Sequence, residues 1–170
     1  MSNYKQGYKS RAIELASDKA KDYYYKNAHF VRPFGFETDE SIDVHTFMKI
    51  PRKIRKMPDY IVVGDGKFIF SEVKGCHDFL RLKLEDLEDY LWWLKTFRED
   101  QDNVYLVFFI YSTESKLCHE LTIQGLVELL NNNTYDRDSY PDNGKVYIKI
   151  PYRDISDRAP ALEWDNDVKE

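Results

Sequence analysis

Apolar positions Ile13, Ala16, Ala20 and Tyr23 or Tyr24 recur at helical spacing behind Ser10, and predict a helix from Ser10 to about Lys26 with Ser10 as its N-cap. The stretch His29 to Phe36 is aromatic and β-prone but is broken by Pro33 and Gly35. Ile42, Val44, Thr46, Met48 and Ile50 alternate more cleanly, which predicts a first strand over 42–50. Two β-rich runs follow, Tyr60 to Val63 and Lys67 to Phe70, separated by Gly64-Asp65-Gly66. An Asp-Gly pair favours a two-residue hairpin turn, because both central residues need positive φ. Beyond Gly75 the period changes to 3.6, and Leu80, Leu84, Leu87, Leu91 and Leu94 describe a helix from about Leu80 to Phe97. Val104 to Tyr111 is apolar at both parities, as expected of a strand covered on two sides. Thr122 is placed to cap a short helix through Leu130, and Asn131 to Gly144 reads as a polar loop. Lys145 to Tyr152 alternates as a last strand. The order α-β-β-β-α-β-α-β predicts an α/β fold, a mixed central sheet flanked by helices.

A length of 170 residues suits one domain, here expected over 1–152. An acidic tail over 153–170 is expected to fray, although Leu162 and Trp164 offer apolar side chains for docking. No apolar run approaches the length of a membrane span, and the high aromatic content excludes a coreless chain. Cys76 and Cys118 stand outside any zinc or disulfide pattern, and MSNYKQGYKS lacks the apolar stretch of a secretory signal. A cytoplasmic protein is therefore expected. The net charge of −5 argues against a passive nucleic-acid coat, but the charge is uneven, positive over 1–58 and negative beyond. Its densest positive run holds Lys49, Arg52, Lys53, Arg55 and Lys56, which reads either as a solvated loop or as an arm that contacts phosphates.

The candidate chemistry lies in the hairpin. With Asp65 and Gly66 as the turn, Val63 opposes Phe68, Ile61 opposes Phe70, and Asp59 opposes Glu72. Opposed residues project to one side, so two carboxylates converge, with Lys74 two positions further on the same face. Such a pair repels unless a positive group lies between. Two hard oxygen ligands without His or Cys fit Mg²⁺, with Mn²⁺ as a substitute, and a neighbouring lysine is able to hold or deprotonate an attacking water. The alternative is a surface ion pair of Lys74 with either carboxylate at an exposed strand end.

Pro58-Asp59, twelve intervening residues and Glu72-Val73-Lys74-Gly75 on the second strand of a hairpin resemble the PD-(D/E)xK nuclease superfamily. The order of elements is similar from about Ser10 to Tyr152, and the layout looks most like junction resolvases and virus-type replication-repair nucleases. The resemblance implies a restriction-endonuclease-like fold, a metal held by Asp59, Glu72 and the Val73 carbonyl, Lys74 acting on water, and Glu14 completing the site from the first helix. Members often carry a Gln on the later helix; this chain has none there, and Lys83, Asp86 and Tyr90 occupy that stripe as accessory candidates, with His77 as a further one.

The expected function is a divalent-metal-dependent deoxyribonuclease, most directly an endonuclease, with DNA as partner. The alternatives are a nuclease-like module that binds nucleic acid or protein without cutting, and a small interaction protein with a purely structural hairpin. Tyr23, Tyr24 and Tyr25 are expected to be part core and part surface. One of Trp92 and Trp93 is expected in the core, leaving the other open to a partner or to a second copy of the chain, so a homodimer is one arrangement open to it.

Overall fold

The protein is described by a computed structural model covering residues 11–35, 42–99 and 101–163. The predicted Ser10 cap and Trp164 lie outside the described residues. Chain order is α1 (Arg11–Asn27), β1 (Phe30–Pro33), α2 (Val44–Lys49), α3 (Arg52–Arg55), β2 (Tyr60–Gly64), β3 (Lys67–Cys76), β4 (Phe79–Lys83), α4 (Leu84–Arg98), β5 (Val104–Ser112), β6 (Cys118–Thr122), α5 (Ile123–Asn132), β7 (Arg137–Ser139), β8 (Val146–Pro151) and α6 (Tyr152–Arg158).

A five-stranded sheet in the order β1-β2-β3-β5-β6 forms the centre, and a three-stranded sheet in the order β4-β8-β7 lies apart from it. The central sheet is mixed: β3 and β5 run parallel, and its other neighbours are antiparallel. The hairpin has the predicted register, with Gly64 opposite Lys67 and Ile61 opposite Phe70, and its turn residues Asp65 and Gly66 both have positive φ. β5 is central and apolar on both sides because two cores meet it. Phe109 packs with Ala16, Ala20 and Tyr24 of α1, whereas Phe108 belongs to the larger core of α4, the small sheet, α5 and α6. No helix among the described residues is long and apolar enough to cross a membrane.

Several expectations are corrected. Residues 42–50 are not a strand: Asp43 accepts the Thr46 amide at 3.0 Å and caps α2, and the alternating Val44 and Met48 remain exposed. This local side-chain cap stabilises a first helical turn that the apolar alternation concealed. The short β1 uses Phe30 to Pro33 instead, at the sheet edge, where a proline is tolerated. The helix predicted from Leu80 begins at Leu84, because Leu80 and Leu82 bury themselves from a strand. Glu85 and Asp86 then supply the acidic first turn that favours a helix start. The loop predicted over 131–144 contains β7, held by β8. The tail is helical through Arg158, since Ile155 and Ala159, four apart, are both buried in the larger core. Leu162 docks as well, its amide donating to the Cys118 carbonyl at 2.8 Å.

Candidate active site

β3 presents Glu72 and Lys74 on the face that α4 covers, continuing the apolar line of Phe68 and Phe70. Asp59 stands one residue before the last hairpin pair, Tyr60 with Ser71, which places it opposite Glu72. Its carbonyl accepts the Phe34 amide at 2.8 Å, and its Oδ2 accepts the Val73 amide at 2.7 Å. The carboxylate is thereby fixed against β3. A Cβ on Gly35 would lie 3.6 Å from Asp59 Oδ1, so the chain crosses closely over this residue.

Glu72 is only 7% exposed, and its Oε1 accepts two donors, Lys74 Nζ at 2.6 Å and the Tyr90 hydroxyl at 2.5 Å. Burial works to lower the Lys74 pKa, but Glu72, Asp86 and Asp59 outweigh it and hold the ammonium charged well above the ordinary lysine range. Burial beside Glu72 pushes the Tyr90 hydroxyl up, so it remains a donor at neutral pH. The donor set is hard oxygen from two carboxylates, which fits Mg²⁺ or Mn²⁺; a cation there would be held by Asp59 and Glu72.

Asp86, Asp89, Tyr90 and Trp93 form the inward stripe of α4, at spacings of three, one and three. Burial alone would raise the Asp86 carboxyl, yet Lys56, Lys74 and Lys83 together hold it below the ordinary carboxylate range. Asp86 binds Lys56 at 2.8 Å, and Asp89 binds Lys53 at 2.6 Å and Arg52 at 3.1 Å. The Trp93 indole closes this junction by donating to the Lys53 carbonyl. Three of the five residues of the basic run thus clamp α3 to α4. Arg55 lies over the Phe47 ring and donates to Met48 Sδ, while Lys49 is exposed.

Glu14 is exposed in the first turn of α1 and enters no hydrogen bond or ion pair among the described residues. The helix start is nonetheless beside the site strand, because a Cβ on Gly75 would meet the Ala12 carbonyl oxygen at 2.2 Å. Lys83 is not on the helix where the accessory stripe had it: it ends β4 one residue before α4, and burial lowers its pKa, with Asp86 opposing and Lys56 and Lys74 adding to the shift. His77 lies in the exposed turn after β3, where its Nδ1 contacts Thr113 Oγ1 at 3.0 Å. With Asp78 and Glu114 it forms an exposed cluster whose ligand atoms lie within 4.8 Å of one another. Trp93 is buried, while Trp92 is 40% exposed beneath the Lys53 ammonium. Sequence reasoning missed Asp89; its spacing of three from Asp86 on a helix was the available signal.

No family model and no curated protein matches the chain. Among solved structures, it is similar to Archaeoglobus fulgidus Hjc, a Holliday junction resolvase from an archaeal hyperthermophile, at 14% identity and a TM-score of 0.44, over 89% of this chain and 90% of that chain. It is also similar to a nuclease from a fusselovirus, at 12% identity and a TM-score of 0.40, over 86% of this chain and 80% of that one.

Proposed function

We propose that this protein is a divalent-metal-dependent nuclease that hydrolyses DNA phosphodiester bonds, acting as an endonuclease. The observation that carries this reading is the convergence of Asp59, Glu72 and Lys74 on one sheet face, with the Lys74 ammonium 2.6 Å from Glu72. A bare surface ion pair would not bury Glu72 or give it a second donor. Removing a carboxylate from water costs free energy unless its charge has a use or a partner.

Asp59 and Glu72 would hold the cation, with the Val73 carbonyl, next in the chain after Glu72, as a further oxygen. A bound Mg²⁺ would polarise the scissile phosphate and stabilise the leaving oxygen. Tyr90 keeps the Glu72 carboxylate oriented, and the backbone amide of Val73 does the same for Asp59. Lys74, which gives one N–H to Glu72, would have others to hold the entering water or a phosphate oxygen. Hydrolysis adds water across the P–O bond: the entering oxygen loses a proton, and the departing one gains one.

The test is cleavage of supercoiled plasmid, linear duplex, single-stranded and four-way-junction DNA in Mg²⁺, Mn²⁺ or EDTA. Cutting is expected with metal only, and Asp59→Ala and Lys74→Ala are each expected to lower the rate by about 10²- to 10⁴-fold. Supercoiled plasmid converted to nicked circles would identify an endonuclease. Absence of cutting on every substrate, together with absence of Mn²⁺ binding by calorimetry, would overturn the reading in favour of a non-cutting module.

A further inference from the structure

The three-stranded sheet has two unlike faces. Leu80, Leu82, Ile148 and Ile150 point inward and are buried in the larger core. The alternate positions line the other face: Phe79, Arg81 and Lys83 from β4, with Lys149 and Tyr147 from β8, of which Tyr147 is covered by its neighbours and buried. Register sets Arg81 opposite Lys149 and Lys83 opposite Tyr147, so these residues form one cross-strand ladder.

Cations and rings interleave on this ladder. Arg81 lies 5.5 Å from the Phe79 ring and 5.4 Å from the Tyr147 ring, Lys149 lies 5.5 Å from Phe79, and Lys83 lies 5.0 Å from Tyr140. Tyr140 and Tyr147 meet at 4.6 Å. Asp138 on β7 takes Lys149 at 2.9 Å, whereas Arg81 and Lys83 enter no ion pair among the described residues. Like charges opposed on a strand pair are destabilising, so leaving Arg81 beside Lys149 costs the fold something.

At its Lys83 end this face adjoins the cluster of Asp59, Glu72 and Lys74. Lys83 immediately precedes α4 and feels Asp86, Lys56 and Lys74, and Tyr140 feels Lys74 and Asp86 as well. Meanwhile Arg52, Lys53 and Lys56 of the basic run are engaged with Asp86 and Asp89. Arg81 and Lys83 are therefore two cations beside the site that remain for an anion, as the basic run's Arg52, Lys53 and Lys56 do not. Residues two apart on a strand sit about 6.7 Å from each other, a separation that suits neighbouring phosphates of one strand.

We infer that the outward face of β4 and β8 is the track on which the DNA backbone leading to the Asp59, Glu72 and Lys74 cluster lies, with Arg81 and Lys83 contacting successive phosphates. The inference rests on the nuclease reading for the direction in which the strand runs. Aromatic rings beneath the cations hold them upright without neutralising them.

The experiment measures binding of a fluorescein-labelled duplex and a labelled single strand by anisotropy in EDTA across a NaCl series. In parallel, Mn²⁺-dependent hydrolysis of bis(p-nitrophenyl) phosphate, a diester with a single phosphate, is measured. Arg81→Ala and Arg81→Gln are expected to lose about tenfold in affinity and about one unit of salt slope, with Arg81→Lys restoring the slope. Their hydrolysis of the small diester should equal wild type, and circular dichroism should show an unchanged fold for this exposed position. Wild-type affinity and slope in Arg81→Ala, with the loss appearing in Lys49→Ala instead, would overturn the track and leave the nuclease reading standing. Loss of binding in Arg81→Ala from a wild type that hydrolyses neither DNA nor the small diester would support the track and overturn the nuclease. A wild type that binds neither labelled DNA would overturn the track outright.

Discussion

The Tyr24 hydroxyl donates to Glu120 Oε1 at 2.6 Å and lies 2.7 Å from Ser71 Oγ, beneath α1 and away from the candidate site. Burial raises the Glu120 pKa, and the Tyr24 hydrogen bond and Lys67 only partly offset it. The folded chain thus binds this proton more tightly than the unfolded chain does. Its contribution to stability is complete below the ordinary glutamate range, near pH 4, and is lost as pH rises through the elevated folded value. Glu120→Gln keeps an oxygen for Tyr24 and removes the buried charge. It is expected to melt above wild type at pH 7 and 8, with the gap closing toward pH 4. A gap independent of pH, followed by thermal denaturation across that range, would show that the carboxyl does not titrate on unfolding.

At the scale of elements, the join between α1 and β3 rests on the missing side chain of Gly75. Its Cβ would meet backbone atoms, with the Ala12 carbonyl carbon at 2.3 Å and the Ile13 nitrogen at 2.7 Å, and backbone cannot rotate aside as a side chain does. Gly75→Ala is expected to cost about 3 kcal/mol in chemical denaturation and to loosen α1, while Gly66→Ala, with open space around it, costs only the strain of an alanine at positive φ, about 1 kcal/mol. That contact was not legible in the sequence, since a glycine after E-x-K carries no sign of what approaches it. The hairpin was legible because Asp65-Gly66 fixes the register, and the register alone sets Asp59 against Glu72. Phe79 to Lys83 was not, because Leu80 and Leu84 satisfy the helical period while Leu80 and Leu82 satisfy the strand period, and only tertiary burial decides between them. Likewise, the charge of Lys49 to Lys56 was visible but its partners were not. Asp86 and Asp89 lie thirty or more residues from the cations they bind, and opposite charges at that separation meet only through the fold.

For the whole molecule, the parallel pairing of β3 with β5 sets an order of assembly. The strand that carries Glu72 and Lys74 gains its hairpin neighbour from three residues away, Gly64 with Lys67, but its other neighbour from thirty-six residues away, Phe68 with Val104. Local closure takes microseconds, whereas distant pairing requires the intervening chain to be gathered first and is slow. Tyr90 and Trp93 reach their places only with that second step, because α4 is the connection that must fold back. On dilution from denaturant, burial of Trp93 and recovery of any cleavage should therefore rise together in one late phase, and amides of β3 and β5 should exchange with solvent at the rate of global unfolding. An early Trp93 signal in stopped-flow fluorescence, well ahead of activity, would contradict this order. On that order a partly folded chain holds a formed hairpin while Glu72 still lacks its Tyr90 donor, so a newly made molecule completes the carboxylate, lysine and tyrosine cluster only once β5 has docked beside β3.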